Sequence, residues 1–482
     1  MTRLTRREFL SAAAGSAASS TLLLGSNRCV ALGSEAGLPE QRAGGVQPVV
    51  EVEEDVYRFE PANNGAGPMW CHGNTCLVRL GDDVFASGLE TLQQYQPLNN
   101  CRWTLFQRQQ DGWQLQQADQ KDRTREPCPM GCDAGGRLLM SVNPTLSTDP
   151  KAHGGPARPE ILKFAADAKA PYETLLPDWS EPHRFTEHSY RSFAVDGANG
   201  ELVLFQNIGY THSCWAFLDR QGKWTTGKRM WLPREDPSKA PYGGTGTRVN
   251  YPNVALKNRA VHFLGNSAFD QWERMPDAGD SHRKWGPRFR KLYYTWSEDI
   301  ATGKFSDWVE IDNCYKTGGW LFSCDLHVAA NGDVHMVWHE NPILSALRNE
   351  RFPDIKRIWA LKYAVVRRGQ VVLRRTLVSG GEEDSTEIPG RARFQVAPDG
   401  RLFVFYYVHG RSAAGEPVSE NRIMELLPGG TSTPPVTVAM KHPLTVFFTA
   451  TPRAGCAPSN TLDLLGTRAD TSQTISYARI AL

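Results

Sequence analysis

The chain has 482 residues and a formal net charge of +2 at pH 7, with 40% hydrophobic and 10% aromatic residues. This nearly neutral charge argues against a basic surface for nucleic acid or for an anionic membrane. The 43 glycines and 31 prolines supply many turns and, together with the aromatic content, favour an all-β fold.

Residues 1–32 are predicted to be a twin-arginine export signal, followed by a linker over residues 33–48. Arg6 and Arg7 stand in TRREFL, and a weakly apolar segment rich in Ala and Ser comes next. The alternative is an Arg-Arg pair that precedes a helix by chance. The signal predicts a periplasmic or extracellular protein. No later run of about 18 apolar residues occurs, so no membrane span is expected in the mature protein.

One pattern recurs from residue 81 onward, in which a Gly or Asp turn leads into a short β-prone run. Its seven occurrences are spaced by roughly 50 to 75 residues. They are GDDVFASG at 81, AGGRLLMSV at 134, GANGELVLFQN at 197, LKNRAVHFLGN at 256, AANGDVHMVWHE at 329, APDGRLFVFYYVHG at 397 and a weaker NTLDLLGTR at 460. Each occurrence predicts a turn between two strands.

Second hairpins with the same pattern lie between these turns. They are WTLFQRQQDGWQL at 103, CWAFLDRQGKWTTG at 214, KLYYTWSEDIATGKFSDWVEI at 291 and LKYAVVRRGQVVLRRTL at 361. The third contains a loose Asp-box made of Ser297, Asp299, Gly303 and Trp308. In such a hairpin the Asp caps the turn, the Gly takes a positive φ and the Trp packs between blades.

Two hairpins in each of seven repeats predict one seven-bladed β-propeller over residues 49–482. The amino-terminal VEEDVYRFEP and the carboxy-terminal TISYARIAL are both strand-like, so we expect them to close the ring by sharing a blade. A β-sandwich with a second domain is the competing architecture, but no clear linker divides the chain. The insertions at 144–184 and 268–288 are predicted to be surface loops over one face.

The densest group of polar and aromatic residues lies in EHSYRSFAVDGANGELVLFQNIGYTHSCW, residues 187–215, and in the start of the next repeat. A hairpin that turns at 197–200 would bring both histidines of this stretch to the same end of one blade. A blade core does not need so many polar groups at one mouth, which predicts a functional site. Packing and surface exposure are the structural alternatives. The candidate residues are His188, Tyr190, Arg191, Tyr210, His212, Arg248 and Tyr251.

These residue types fit β-elimination on a uronic acid. An arginine neutralises the carboxylate and so acidifies the C5 proton, a His or Tyr removes that proton, and a second such group protonates the leaving oxygen. Hydrolysis of a glycoside usually needs two carboxylates. Glu187, Asp196 and Asp325 do not form an obvious pair in the sequence.

Residues 68–76, PMWCHGNTC, place His72 between Cys71 and Cys76. A zinc site would need further ligands, and CPMGC at 128–132 supplies the only other close cysteine pair in the sequence. A Cys71–Cys76 disulfide is one alternative, and two cysteines buried as small hydrophobic residues are another. A catalytic or substrate-binding role for His72 is a further alternative.

The remaining cysteines and the metal content of the protein are not fixed by the sequence. One of the 10 cysteines, Cys29, falls in the predicted signal, and the nine that remain are an odd number. At least one thiol is therefore free unless it pairs between chains. A structural calcium is compatible with this kind of propeller, although no Asp-rich calcium loop is evident.

Five stretches resemble a bacterial seven-bladed β-propeller family of carbohydrate-active enzymes with BNR-like repeats. They are NNGAGPMWCHGNTCLVRLGDDVFASGLET, HSYRSFAVD, FQNIGYTH, VNYPNVALKNRAVHFLGN and ENRIMEL, and the resemblance covers most of residues 55–430. The family acts on L-rhamnose-α-1,4-D-glucuronate caps of arabinogalactans such as gum arabic, as α-L-rhamnosidases or as rhamnose–glucuronate lyases. It is distantly similar to the ulvan lyases, which are also propellers.

The resemblance to the lyases implies one set of catalytic residues. In those enzymes two histidines from one blade act with a Tyr and an Arg from the next blade, and His188, His212 and Tyr251 match by context. The arginine does not match, because this chain reads FLGNS at 263–267. Either Arg248, just before the tyrosine, takes its place, or carboxylate neutralisation is lost.

The resemblance to the rhamnosidases implies a different residue, because those enzymes use one histidine near the amino terminus, on the opposite face. His72 matches that context. The sequence therefore predicts an exported enzyme that cleaves a rhamnosyl–glucuronate linkage in a plant or algal polysaccharide, by elimination. Hydrolysis through His72 is the alternative, and a propeller that binds glycan without turnover is another. The predicted substrate-binding residues are Arg191, Tyr210 and Arg248.

Overall fold

The structure is a computed structural model in which Gly45–Leu482 form one compact unit. It describes residues 45–95, 98–179, 184–209, 212–230, 249–267, 289–314, 317–344, 348–349, 352–382 and 386–482. The predicted export signal and most of the predicted linker lie outside the described residues. So do the insertion at 268–288 and two candidate site residues, Tyr210 and Arg248.

The described chain forms seven four-stranded antiparallel sheets, which we number as blades 1 to 7. Blade 1 consists of β2 Leu77–Leu80, β3 Asp83–Thr91, β4 Cys101–Gln109 and β5 Gly112–Ala118. Blade 2 consists of β6 Met130–Cys132, β7 Leu138–Val142, β8 Glu160–Phe164 and β9 Glu173–Leu175. Blade 3 consists of β10 Ser192–Asp196, β11 Glu201–Ile208, β12 His212–Leu218 and β13 Trp224–Met230. Blade 4 consists of β14 Asn250–Lys257, β15 Ala260–Asn266, β16 Lys291–Ser297 and β17 Val309–Asn313. Blade 5 consists of β18 Trp320–Val328, β19 Val334–Asn341, β20 Ile358–Arg367 and β21 Gln370–Gly381. Blade 6 consists of β22 Glu387–Val396, β23 Leu402–Arg411, β24 Pro417–Leu426 and β25 Val436–Val438. Blade 7 combines β26 Leu444–Thr449, β27 Thr461–Arg468 and β28 Thr474–Ala481 with β1 Val49–Arg58.

The ring closes by pairing the two ends of the chain, as the sequence predicted. β1 forms the outer strand of blade 7 and pairs with β28, with Val49 opposite Ala481. The fold is a seven-bladed β-propeller. Inner strands such as β10 are buried on both faces, because neighbouring blades pack against them, and so they read as continuous apolar runs. Outer strands such as β21 alternate in exposure, because one of their faces meets solvent.

All seven predicted turns lie between the first and second strands of a blade, and six of these connections are short. The seventh is different, because residues 450–460 form a longer connection between β26 and β27 that packs against inner strands of other blades. Backbone hydrogen bonds tie it to β6 and β10, from Cys132 N to Ala454 O (2.8 Å) and from Val195 N to Arg453 O (2.9 Å). Gly455 has φ +87°, and a Cβ there would lie 1.8 Å from the Cys132 oxygen, so only glycine fits.

Arg453 anchors this connection through a buried ion pair with Asp325 of β18. Its guanidinium lies 2.5 Å from the carboxylate, and both side chains are at most 5% exposed. It also donates to the backbone oxygens of Gly73 and Val254. One side chain therefore links blades 4, 5 and 7 with the segment that precedes blade 1.

Replacing Arg453 with methionine should lower the free energy of unfolding by about 3 kcal/mol, because removing one partner leaves the other charge buried. Arg393, 3.9 Å from Asp325, remains to offset part of this loss. The control is Lys163→Met, which breaks a solvent-exposed pair with Glu173 and should leave stability nearly unchanged. Urea unfolding of the two variants measures the difference. Equal effects would contradict the anchoring role of Arg453.

Two local predictions had different outcomes. The Asp-box is confirmed, because Asp299 caps the 3-10 turn Ile300–Thr302 through the Ala301 amide and Gly303 has φ +67°. The prediction that 144–184 is only a surface loop is wrong, because the segment contains β8 and β9. These strands have five and three residues, and the turn between them carries no glycine, so the usual hairpin signal is missing. The described part of the chain contains no helix with the length and apolar composition of a membrane-spanning segment.

Candidate functional site

Aromatic rings from four parts of the chain meet at one end of the ring. We call this end the front face; it is the end at which the innermost strand of each blade begins. Trp70 lies at the centre of these contacts, with ring centroids 5.6 Å from His188, 5.0 Å from Tyr190 and 5.6 Å from Tyr251. The front cluster, as we name it, comprises Trp70, His72, His188, Tyr190, Tyr251 and Phe322.

His72 belongs to the same cluster as the residues implied by the lyase resemblance. Its ring centroid lies 5.0 Å from that of Tyr251 and 5.2 Å from that of Phe322. The expectation that His72 acts on the opposite face from Tyr251 is therefore wrong. The reason is that the segment before β2 crosses the mouth of the ring and so carries His72 to blades 4 and 5. The candidate residues of the two alternatives therefore lie together in the front cluster.

The crossing segment is held by backbone contacts that its sequence permits. Gly73 packs so closely against β14 that a Cβ would lie 2.0 Å from the Pro252 oxygen. Asn74 accepts a hydrogen bond from the Phe193 amide of blade 3 and donates to the Arg191 oxygen. Arg393 of blade 6 donates to the His72 oxygen at 2.5 Å. His72 is thus positioned by three other blades.

Two tyrosines of the front cluster have a backbone conformation that is rare for bulky residues. Tyr190 has φ +40° and Tyr251 has φ +47°, and their ring centroids are 4.9 Å apart. Left-handed backbone costs such residues about 1–2 kcal/mol each, so it persists only where the surroundings impose it. Strain of this kind concentrates at functional sites, and here it aims two phenols at one place.

Arg391, at the start of blade 6, is a cation that the sequence reasoning did not single out. Its guanidinium lies 3.8 Å from the centroid of the Phe322 ring, which in turn contacts His72 and Tyr251. Burial lowers the pKa of Arg391, and no carboxylate within the described residues forms an ion pair with it. A desolvated cation without an anionic partner is suited to bind an anionic ligand.

Other arginines near the cluster already have protein partners. Arg191 is buried, lies 3.9 Å from Glu126 and donates to the Pro127 oxygen. The predicted substrate-binding residue Arg191 is therefore already engaged by protein groups. Arg393 and Arg453 share the single carboxylate of Asp325. The surroundings of Arg391 thus carry an excess of positive charge.

This positive charge and the burial of the side chains determine the protonation states of His72 and Tyr251, the two groups best placed for proton transfer. Burial, followed by the nearby Arg391 and Arg393, lowers the pKa of His72 well below its usual value, so His72 is neutral and able to accept a proton. Burial, together with the neighbouring Tyr190, raises the pKa of Tyr251, so its phenol is protonated and able to donate. The pair offers a base and an acid side by side.

The remaining predicted residues are placed as follows. His212 begins β12 opposite Ile208, so the blade 3 hairpin brings it to the front face, at the same end as His188. Tyr210 and Arg248 lie outside the described residues. The sequence reasoning missed Trp70, Phe322 and Arg391. Trp70 stands two residues before His72, and that adjacency was the signal available. Arg391 had no local signal, because ring closure alone brings it to the cluster.

The cysteine alternatives can be compared with the structure. The Sγ atoms of Cys71 and Cys76 lie 3.5 Å apart, as two buried thiols in contact rather than a bonded pair. Cys128 and Cys132 are buried too. Among the described residues, no group of three or more His, Cys, Asp or Glu side chains is arranged to hold a metal ion.

Two cavities differ in what they offer a ligand. One of about 700 Å³ opens on the face opposite the front cluster. Charged side chains that line it are already paired, since Arg79 binds Asp463 at 2.5 Å and Lys257 donates to two backbone oxygens. The cavity beneath Trp70, Tyr190 and Tyr251 is only about 10 Å³. A sugar would therefore bind on the outer, partly exposed edges of the front cluster.

No known protein family matches the chain, and no curated protein matches it. Among solved structures, it is similar to an ulvan lyase, a polysaccharide lyase bound to -[GlcA(1-4)Rha3S]-, with 10% identity and a TM-score of 0.46 over 89% of this chain and 95% of that one. It is also similar to an α-L-arabinanase from Penicillium chrysogenum, with 11% identity and a TM-score of 0.38 over 73% and 92%. An α-L-arabinofuranosidase from Fusarium graminearum gives 12% identity and a TM-score of 0.40 over 73% and 92%.

Proposed function

We propose that this protein is a carbohydrate-active enzyme that cleaves a rhamnosyl–glucuronate linkage of a plant or algal polysaccharide by β-elimination. The observation that carries the proposal is the position of Arg391, a cation without an ion-pair partner among the described residues, whose supporting ring, Phe322, contacts both His72 and Tyr251. The family resemblance of the sequence motivates the choice of glycan. The twin-arginine pattern motivates a location outside the cytoplasm.

In this reaction Arg391 pairs with the carboxylate of the glucuronate and stabilises the charge that develops when C5 loses its proton. His72 accepts that proton, and the electrons of the C5–H bond form a C4–C5 double bond. The C4–O bond breaks, and the leaving rhamnose oxygen takes a proton from Tyr251. His72 then returns its proton through solvent to Tyr251. The products are free rhamnose and an unsaturated uronate.

Elimination suits the site better than hydrolysis by a pair of carboxylates. The buried carboxylates beside the front cluster are already engaged: Glu126 accepts from the Ser189 amide at 2.8 Å, and Asp325 pairs with Arg453. His188 packs against Trp70 and Tyr190, where we assign it to holding the sugar. Hydrolysis through His72 alone uses neither Arg391 nor Tyr251.

The test is ultraviolet absorbance during incubation with a rhamnose-capped arabinogalactan, combined with chromatography of the released sugar. We expect absorbance from the unsaturated uronate to rise in proportion to free rhamnose. Rhamnose without the chromophore would mean hydrolysis. Saturable binding with no product, from folded protein and on ulvan as well, would mean a glycan-binding propeller and would overturn the proposal.

A further inference from the structure

A second group of aromatic rings lies on blade 5, at the front end of its strands. Trp320 begins β18 and Trp359 lies near the start of β20; their ring centroids are 5.6 Å apart and the planes nearly perpendicular. His339 of β19 lies between them, stacked on Trp359 at 5.2 Å and edge-on to Trp320 at 5.4 Å. Both tryptophans are partly exposed. The three rings form a surface that runs outward from the axis.

His339 carries a polar atom that the protein leaves unused. Its side chain is buried, at 8% exposure, and Nε2 has no hydrogen-bond partner within the described residues. Burial, with Arg391 nearby, lowers the pKa of His339 to about 3, so the ring is neutral. The other ring nitrogen engages the backbone of Pro389, which leaves Nε2 as an acceptor. An unsatisfied buried acceptor is costly and is explained when a ligand hydroxyl donates to it.

This surface is continuous with the front cluster. Phe322 lies directly opposite His339 in the β18–β19 register, and the guanidinium of Arg391 lies over the ring of the same Phe322. Arg391 is close enough to His72 and to His339 to disfavour the protonated form of both. A glycan whose carboxylate binds Arg391 therefore lies beside both groups of aromatic rings.

We propose that Trp320, His339 and Trp359 form a subsite for a neutral sugar on the uronate side of the cleaved bond. This inference rests on the proposed function and extends it, because it requires a substrate longer than the rhamnose–glucuronate disaccharide. Aromatic faces suit the apolar C–H face of a pyranose. The sugar stacks on the tryptophan rings and donates one hydroxyl to Nε2 of His339.

The test compares an oligosaccharide that extends beyond the glucuronate with the disaccharide alone, by kcat/KM and by calorimetric affinity. Trp359→Ala should weaken binding of the longer glycan about tenfold, as expected for one aromatic contact, and leave the disaccharide unaffected. The control is Trp113→Ala. Trp113 is also a partly exposed tryptophan, but it packs edge-on against Tyr477 at the junction of blades 1 and 7.

His339→Phe provides a second readout that a purely structural role would not give. It keeps a ring between the tryptophans and removes the unpaired nitrogen, but it also removes the hydrogen bond with Pro389, so the net change in thermal stability should be small. Binding of the longer glycan should nevertheless fall severalfold. Equal affinity of wild type and both variants for the longer glycan would overturn the subsite, as would equal wild-type kcat/KM for the two substrates.

Failure of the proposed function gives a different result. If Trp359→Ala weakens binding of the longer glycan but the wild type releases no product, the subsite stands and the elimination does not. If the wild type neither binds nor cleaves either substrate, both proposals fail.

Discussion

Replacing Arg391 with methionine should lower kcat/KM on the glucuronate-containing glycan by about 100- to 1,000-fold, the usual effect of removing one group that stabilises developing charge. Thermal stability should stay equal or increase, because Arg391 is a desolvated cation with no ion-pair partner in the described residues. A residue that supports the fold would give the opposite result for stability. Steady-state kinetics and thermal melting measure the two effects.

The matched control is Arg401→Met in the same blade. Arg401 also lies over a phenylalanine, with its guanidinium 5.2 Å from the Phe403 centroid, but it pairs with Asp399 at the β22–β23 turn. Activity should be unchanged. Retention of full activity by Arg391→Met would show that another group, such as the predicted Arg248, neutralises the carboxylate.

Replacing His72 with glutamine or Tyr251 with phenylalanine should lower kcat by about 100- to 10,000-fold, the range for loss of a general acid or base. Both changes preserve most of the side-chain volume, so the front cluster should keep its packing. Circular dichroism and melting temperature check that the variants fold. Full activity in His72→Gln would assign the base to another residue, with His188 the first to test.

The pH dependence gives a sharper test of His72. Burial, followed by two neighbouring arginines, disfavours its protonated form, so kcat/KM, which reports the free enzyme, should lose activity only well below the usual histidine pKa. A bound uronate places a negative charge against Arg391 and offsets that repulsion, which raises the pKa of His72 in the complex. The acidic limb of kcat should therefore lie at higher pH than that of kcat/KM. Coincident acidic limbs of kcat and kcat/KM would contradict the assignment of His72 as a base whose pKa depends on Arg391.

Much of the fold follows from spacing that the sequence displays. Turn residues before short apolar runs predicted the first hairpin of the blades, and strand-like ends predicted that β1 pairs with β28. The connection at 450–460 was not predicted as a structural element of the interior, because its packing depends on atoms of distant blades. Arg453 contacts Gly73, Val254 and Asp325 only because the ring has closed.

The site was predictable in part, for the same reason. His188 and Tyr251 stood out because each sits beside other polar residues, His188 just before one inner strand and Tyr251 at the start of the next. His72 stood out from its neighbours but was assigned to the wrong face, since nothing local shows that residues 70–76 cross the mouth. Arg391 had no local signal at all. Arg391 is recognised as a candidate anion-binding residue only from its packing on Phe322 and from the lack of a carboxylate partner among the described residues.

Cleavage in water enriched in oxygen-18, followed by mass spectrometry of the products, distinguishes elimination from hydrolysis. Elimination breaks the C4–O bond without adding water, so we expect a uronate product lighter by one water and no label incorporated by the cleavage step. Hydrolysis would place a labelled oxygen on C1 of the released rhamnose and leave a saturated, unlabelled uronate. Saturated uronate released together with labelled rhamnose would contradict the assignment of Arg391, His72 and Tyr251 to a lyase site.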